Sequence, residues 1–353
     1  MSMKFIDFGQ FPLAVNLLLF VVFASGIWIA GTRLTIYADE LSDRRKLSKA
    51  LIGLILLAGV TELPELVTTI TAVVENNAPL ALNNMFGGIV MQTAILAVAD
   101  LVNRGAPLTY YPRKPTALLE GALLTLLLGV LLTILALGEQ PLFSAIGVGS
   151  GVLAVAYLIS IAILRGHDDN GAWVPVQIAD KPKRSGAALS TAWVKEVSEP
   201  TLFKGMAIGA LIILVLGALM VLLAEKIAVQ TGLGSSFIGV TLLAAATSLP
   251  ELSTTIMAIR LGAYTMAISN IFGSNLIMIV LIFPADMFYR PGPILAAADK
   301  SAVYALSVGL VVTAIYLIGL IIRSRRRFLG MGYDSLTVLI VYGLSLFALY
   351  TLR

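Results

Sequence analysis

Three glutamates lie inside strongly apolar sequence, and two of them occupy copies of one motif. Thr61-Glu62-Leu63-Pro64-Glu65-Leu66-Val67-Thr68-Thr69-Ile70 matches Thr247-Ser248-Leu249-Pro250-Glu251-Leu252-Ser253-Thr254-Thr255-Ile256 at eight of ten positions, at an offset of 186 residues. The match resumes at the same offset, with Ala81-Leu82-Asn83-Asn84-Met85-Phe86-Gly87-Gly88 set against Ala267-Ile268-Ser269-Asn270-Ile271-Phe272-Gly273-Ser274. An acidic residue at the centre of a membrane helix costs roughly 2.5–3.5 kcal/mol on insertion scales. No lysine or arginine falls at similar depth in the same apolar runs, so protons or bound cations must neutralise Glu62, Glu65 and Glu251.

The neighbours suit a hard cation, which prefers oxygen ligands. Pro64 cannot donate to the carbonyl of Val60, nor Pro250 to that of Ala246, so both carbonyls are candidate ligands. Thr61, Thr247 and Ser248 add hydroxyls beside the prolines, while Asn83, Asn84, Ser269, Asn270, Ser274 and Asn275 add amide and hydroxyl oxygens one helix further on. Glu65 and Glu251 are the expected metal-binding pair. Glu62 shares the face of Glu65 but has Ser248 as its counterpart, so it is either an ion ligand or an acid supporting one. The Thr68/Thr69 and Thr254/Thr255 pairs suit packing or bonds back to their own helix. Asp100, Glu120, Glu139, Glu225 and Asp286 fall near the ends of apolar runs and are expected to be solvated.

The elements that hold these residues are membrane helices. The chain has 353 residues, of which 58% are hydrophobic and 12% charged. Soluble domains carry about 25% charge, so lipid must be the solvent here. Ten apolar runs are long enough to span: approximately 11–31, 49–74, 79–101, 117–137, 142–164, 201–224, 235–259, 263–283, 300–322 and 335–351. The fold class is therefore an all-α membrane protein. A first repeat (1–164) and a second repeat (201–353) flank a polar cytoplasmic loop (165–200). With the N-terminus outside, 19 of the 24 Lys and Arg fall on the cytoplasmic side. The basic residues are thus topology anchors, not a nucleic-acid patch. Five helices per half make the second copy enter from the opposite side, which gives an inverted-topology repeat whose matching segments meet near the midplane.

Composition also excludes chemistry. There are no cysteines, and the single histidine, His167, lies in the polar loop. Gly149-Ser150-Gly151 has no base to activate its serine, so a hydrolytic enzyme is not supported.

The duplicated Thr-x-Leu-Pro-Glu and Asn-x-Phe-Gly elements, completed as Asn270-Ile271-Phe272-Gly273-Ser274-Asn275 in the second half, resemble the calcium/cation antiporter superfamily of the sodium–calcium exchanger type. The resemblance implies exchange of Ca2+ against Na+, K+ or H+ by alternating access, with no cofactor beyond the transported ions. It implies Glu65 and Glu251 as central carboxylates, with Thr61, Thr247, Ser248 and Ser274 flanking them. It also implies that helices 1 and 6 slide against the rest. Glu62 stands where the family has Ser or Thr, Gly88 and Ile89 replace Ser and Asn, and Gln92 and Met278 occupy a position that is often Asn or Asp. Fewer Na+ sites, proton coupling or another divalent cation are consistent with these departures. The alternative is an ion-binding protein of transporter fold that works as a channel or sensor without exchange.

Overall fold

The computed structural model describes residues 8–103, 105–143, 146–170, 191–231 and 246–351. Its main helices are α1 (Leu13–Arg45), α2 (Lys49–Thr61), α3 (Leu63–Val74), α4 (Ala78–Asp100), α5 (Thr116–Leu137) and α6 (Val148–Asn170). They continue with α7 (Glu199–Thr231), α8 (Leu249–Arg260), α9 (Tyr264–Val280, extended by Ile282–Phe288), α10 (Lys300–Ile322) and α11 (Tyr333–Thr351). Two short antiparallel hairpins precede α6 and α11: β1 (Pro141–Phe143) with β2 (Ile146–Gly147), and β3 (Arg327–Phe328) with β4 (Met331–Gly332).

Among the described residues, seven helices are long and apolar enough to cross a membrane, and the bent pair α2/α3 would make an eighth. The expected runs at 235–259 and 335–351 are not among them. Residues before Ala246 in the first lie outside the described set, as do Lys181, Lys183 and Arg184 of the central loop, and the apolar stretch of α11 is shorter than a full span. Several helices outrun their apolar cores, because polar residues such as Arg33 and Glu40 continue α1 beyond the hydrocarbon-length run.

The sequence duplication is also a duplication of backbone. α1 and α7 are each 33 residues long, and α3 and α8 are each 12, with all bounds displaced by 186. α4 and α9 start at equivalent positions. Each follows a residue with left-handed backbone, Asn76 (φ 58°) in one half and Gly262 (φ 76°) in the other. Asn and Gly are the residue types that take this conformation at least cost. Burial separates the layers: the spanning segment of α9 is 78% buried and that of α4 67%, against 17% for α1. α4 and α9 are therefore the centre, and α1 presents most of its surface outward.

Two aspartates expected to be solvated are instead fully enclosed and join the halves reciprocally. Asp100 accepts from the Leu108 backbone N–H at 2.7 Å, the Gly332 N–H at 2.7 Å and the Ser335 hydroxyl at 3.0 Å. Asp286, its counterpart at the 186 offset, accepts from Ile294 N–H at 2.6 Å, Gly147 N–H at 2.7 Å and the Ser150 hydroxyl at 2.5 Å. Each half thus pins the hairpin and last helix of the other. Glu120 is likewise buried, and accepts from the Ser269 hydroxyl at 2.6 Å. The two aspartates end up inside because they satisfy backbone donors at helix and hairpin termini, where apolar sequence has no other acceptor to offer. Ser150, for which the sequence offered no neighbouring base, instead finds Asp286 and is used in this latch.

Each latch leaves buried N–H groups unpaired when its acid is removed, at about 1–3 kcal/mol per donor. Asp100→Ala and Asp286→Ala should therefore lower the thermal unfolding midpoint in detergent by similar amounts. A large loss from one and none from the other would contradict reciprocity.

Candidate cation site

The path from sequence to site runs through the prolines. α2 and α3 meet at Glu62 with a bend of 47°. Pro64 does not interrupt one continuous helix, as the sequence suggested; it lies in the first turn of α3, where a missing N–H is tolerated. Pro250 has the same place in α8. The backbone at the two junctions agrees closely, with φ −77°, ψ −4° at Glu62 and φ −86°, ψ 4° at Ser248. Glu65 and Glu251 therefore fall in the first turn of a short helix, beside the positive end of its dipole.

A second irregularity leads into the first junction. Residues Ile52–Leu57 of α2 form a π-helical segment, a feature enriched at functional sites. This segment packs closely on α9 through two glycines. A Cβ at Gly53 would stand 2.5 Å from the Met266 carbonyl oxygen, and one at Gly273 would stand 2.6 Å from that of Leu54. Sequence alone gave no sign of the π segment. The glycines were the available signal for this close approach.

The three glutamates converge in the buried interior: Glu62 and Glu65 are 2% exposed and Glu251 is fully enclosed. Glu65 lies within electrostatic range of Glu251 and Glu62, and Glu251 within that of Glu62. The Thr247 hydroxyl reaches Glu65. The Thr61 hydroxyl points toward Glu251 but falls outside hydrogen-bond geometry, so both Glu251 oxygens lack a partner. Thr61 also approaches Ser274 at 3.4 Å. Gln92 donates its amide to Glu62 at 2.5 Å, and Ser274 also reaches Glu62.

Other expected ligands occupy separate roles. Asn270 donates to Thr254 at 3.0 Å and leaves its carbonyl oxygen buried without a partner. Thr254 in turn bonds back to Pro250 at 2.9 Å, as Thr68 does to Pro64, in keeping with the packing role expected of these threonines. Asn84 is half-buried with a buried, unpartnered amide nitrogen. Ser248 is buried at the second junction, and its carbonyl accepts from Leu252 N–H. Val60 is half-buried and Ala246 buried, next to their junctions. Asn275, which the sequence also offered as a source of amide oxygen, donates its amide to Thr93 across the halves at 3.2 Å.

Unpartnered acceptor oxygens therefore dominate: Glu62 Oε2, Glu65 Oε2, both oxygens of Glu251, Gln92 Oε1 and Asn270 Oδ1. Among the described residues, no three acidic or histidine side chains form a preassembled metal cage. The donor set is mixed, with carboxylate, amide and hydroxyl oxygens. Ion pairs among the described residues at helix ends include Arg44–Glu40, Arg45–Glu199, and Lys49 with Asp39 and Asp43. A cleft of about 210 Å³ beside Lys49 and Tyr264 is also remote from the chemistry, since none of the three glutamates lines it.

This geometry can be set beside known proteins. The family described as sodium/calcium exchanger protein matches residues 15–165 and again residues 201–352, one match for each copy of the duplicated motif. The chain belongs to the sodium/calcium exchanger family. Members of this family are transporters, not enzymes. The chain is 27% identical over 309 residues to CaxA of Alkalimonas amylolytica, covering 82% of this chain and 86% of that one. It is 27% identical over 303 residues to the inner membrane protein YrbG of Escherichia coli strain K12, covering 82% and 87%. In fold it resembles the sodium-calcium exchanger NCX_Mj, solved after soaking with 10 mM Na+ and zero Ca2+, at TM-score 0.68 and 18% identity over 97% of this chain and 100% of that chain. As a family member, this chain is an integral membrane cation antiporter by descent.

Gly53→Ala and Gly273→Ala each place a methyl against backbone that cannot rotate away, and overpacking of this kind costs about 1–3 kcal/mol. Both variants should unfold at lower temperature in detergent than the wild type. Wild-type midpoints for both would show that the π segment and α9 are not in close contact.

Proposed function

We propose that the protein exchanges Ca2+, or another divalent cation, for Na+ or H+ by alternating access, with Glu65 and Glu251 as the central ligands. The observation that supports this reading is a pair of sequence-equivalent carboxylates, one from each half, buried within electrostatic range of each other. They are buried among unpartnered oxygens and remote from the ion pairs at the helix ends. A divalent ion supplies the positive charge that this arrangement lacks and accepts oxygens of every type present. Thr61, Thr247, Ser248, Asn84, Asn270, Ser274 and Gln92, with the carbonyls of Val60 and Ala246, are the remaining proposed ligands.

The architecture for such exchange is ten spans in two inverted five-helix repeats, with the N-terminus outside and the central loop in the cytoplasm of a bacterial inner membrane. The reciprocal aspartate latches support this pairing of halves. The moving elements are α1 and α7. α1 packs on α7 and on α8 of the opposite half, while α7 packs on α3. Both crossings use glycines at the 186 offset. A Cβ at Gly31 would overlap the Ser253 hydroxyl, and one at Gly217 would stand 2.6 Å from Pro64. Smooth glycine faces over the two Pro-Glu helices suit sliding.

One observation favours conduction or sensing without exchange: Met278 and Gly88 remove oxygens from one side of the site. The two readings part in proteoliposomes, because an exchanger requires a counter-ion on the far side and a channel does not. 45Ca2+ uptake driven by an outward Na+ or H+ gradient should occur in wild type and fall at least tenfold in Glu251→Gln and Glu65→Gln, about 1.4 kcal/mol or more. Uptake in both variants equal to wild type would remove the central assignment.

A further inference from the structure

The cleft beside Lys49 lies on the side that the proposed topology assigns to the cytoplasm. Asp39 and Asp43 of α1 and Lys49 at the start of α2 line it, and Arg113, Ala263 and Thr265 are also part of its lining. Among the described residues, none deeper in α2 than Lys49 or in α9 than Thr265 reaches it. One turn further in, the two helices close on each other. Gly53 shares a face of α2 with Lys49, and Ser269 shares a face of α9 with Thr265, each at i, i+4 spacing. A Cβ at Gly53 would stand 2.5 Å from the Met266 carbonyl oxygen, 3.0 Å from the Asn270 backbone nitrogen and 3.1 Å from the Ser269 Cβ. Ser269 is fully enclosed. Helix from Lys49 to Glu62 spans about 20 Å at 1.5 Å per residue, so this seal stands between the cleft and the glutamates.

Lys49 is also bonded back across the turn that joins α1 to α2. Its Nζ donates to the Asp39 carbonyl at 2.9 Å and to the Asp39 carboxylate at 2.6 Å, and it pairs with Asp43 at 2.7 Å. The turn is tight, with Lys46 left-handed (φ 52°) and the Ser42 hydroxyl donating to the Leu47 carbonyl at 2.8 Å. A swing of α1 against α2 must break the Lys49 bonds. The π-helical segment begins at Ile52, beside the seal, so α2 is irregular where it would have to bend. The triad is not repeated in the sequence: at the 186 offset stand Glu225, Val229 and Ser235.

Resting on the antiporter reading, with α1 as a moving helix, we propose that Lys49 is the bolt of a gate at the inner end of the ion path and that the cleft is the mouth it holds shut. With the bolt in place, the end of α1 and the start of α2 are held as one unit, and Gly53 stays seated on α9. Release of Lys49 from Asp39 and Asp43 frees α1 to swing. The start of α2 then lifts, Gly53 leaves Ser269, and the cleft extends toward the glutamates. Because the repeat carries no second copy of the triad, the bolt favours the state closed on this side. Lys49 is thus a positioning residue that acts through Asp39 and Asp43, without touching the transported ion.

The chain has no cysteine, so single-cysteine reporters read one position each. T265C marks the mouth, S269C the seal, and T313C, fully buried in α10, marks general loosening. Each is made in wild-type, K49Q, K49R and D43N backgrounds, and maleimide labelling of the purified protein in detergent is timed. Monodisperse elution establishes folding. T265C should react in every background and T313C should stay slow in all. S269C should react slowly in wild type and K49R, about fivefold faster in K49Q and about twofold faster in D43N, in proportion to the open population. S269C rates unaltered by K49Q and D43N overturn the proposal. So do equal acceleration of T313C, an unreactive T265C, or K49R as fast as K49Q. Where K49Q fails to fold, D43N decides alone, because Asp43 is exposed and its loss removes one arm of the bolt. Labelling needs no ion flux. If the rates change as stated while wild type shows no 45Ca2+ flux, the exchange reading fails and the gate stands; flux with unaltered S269C rates ends the gate alone.

Discussion

Negative charge held in a low-dielectric interior without a basic partner is the constraint on which the rest of this structure depends. Glu62, Glu65 and Glu251 lie within electrostatic range of one another and keep unpartnered oxygens, while the lysines and arginines of the ion pairs stay at helix ends. An isolated cluster of this kind would be strongly unfavourable. In the proposed function a transported cation completes the cluster, and ion binding is then linked to structural integrity.

The fold meets that constraint by breaking its helices in two matched places. Each Pro-Glu segment starts a new 12-residue helix at the site instead of continuing an old one, which places the glutamate in the first turn. Tight glycine crossings hold α2 against α9, and the reciprocal bonds of Asp100 and Asp286 lock the halves together at their last helices. Latches at the periphery join the halves, while α1 and α7 meet the Pro-Glu helices through glycines, and in the proposed function these two helices are the moving elements. Alternating access needs such elements.

Much of this was legible in the sequence, for physical reasons. The paired Pro-Glu motifs, the 186-residue offset and the long apolar runs are local signals, and backbone, burial and family membership follow from them. Asp100, Asp286 and Glu120 were misread as solvated. Their positions near the ends of apolar runs look exposed until the partner half brings its hairpins and Ser269 to meet them, and that contact is nonlocal. The π segment in α2 was invisible because it depends on the fit to α9. Gly88 and Met278 were visible only as two separate departures; in the structure the Met278 methyl lies 2.7 Å from where a Cβ on Gly88 would stand.

The central claim is that Glu65 and Glu251 bind one divalent cation between them. Its most direct test is anomalous diffraction from crystals of the purified protein soaked with Sr2+. A single strong anomalous peak within coordination distance of both carboxylates, absent from Glu251→Gln crystals, is the predicted result. A peak bound elsewhere, or one that survives the loss of the Glu251 charge, would contradict it.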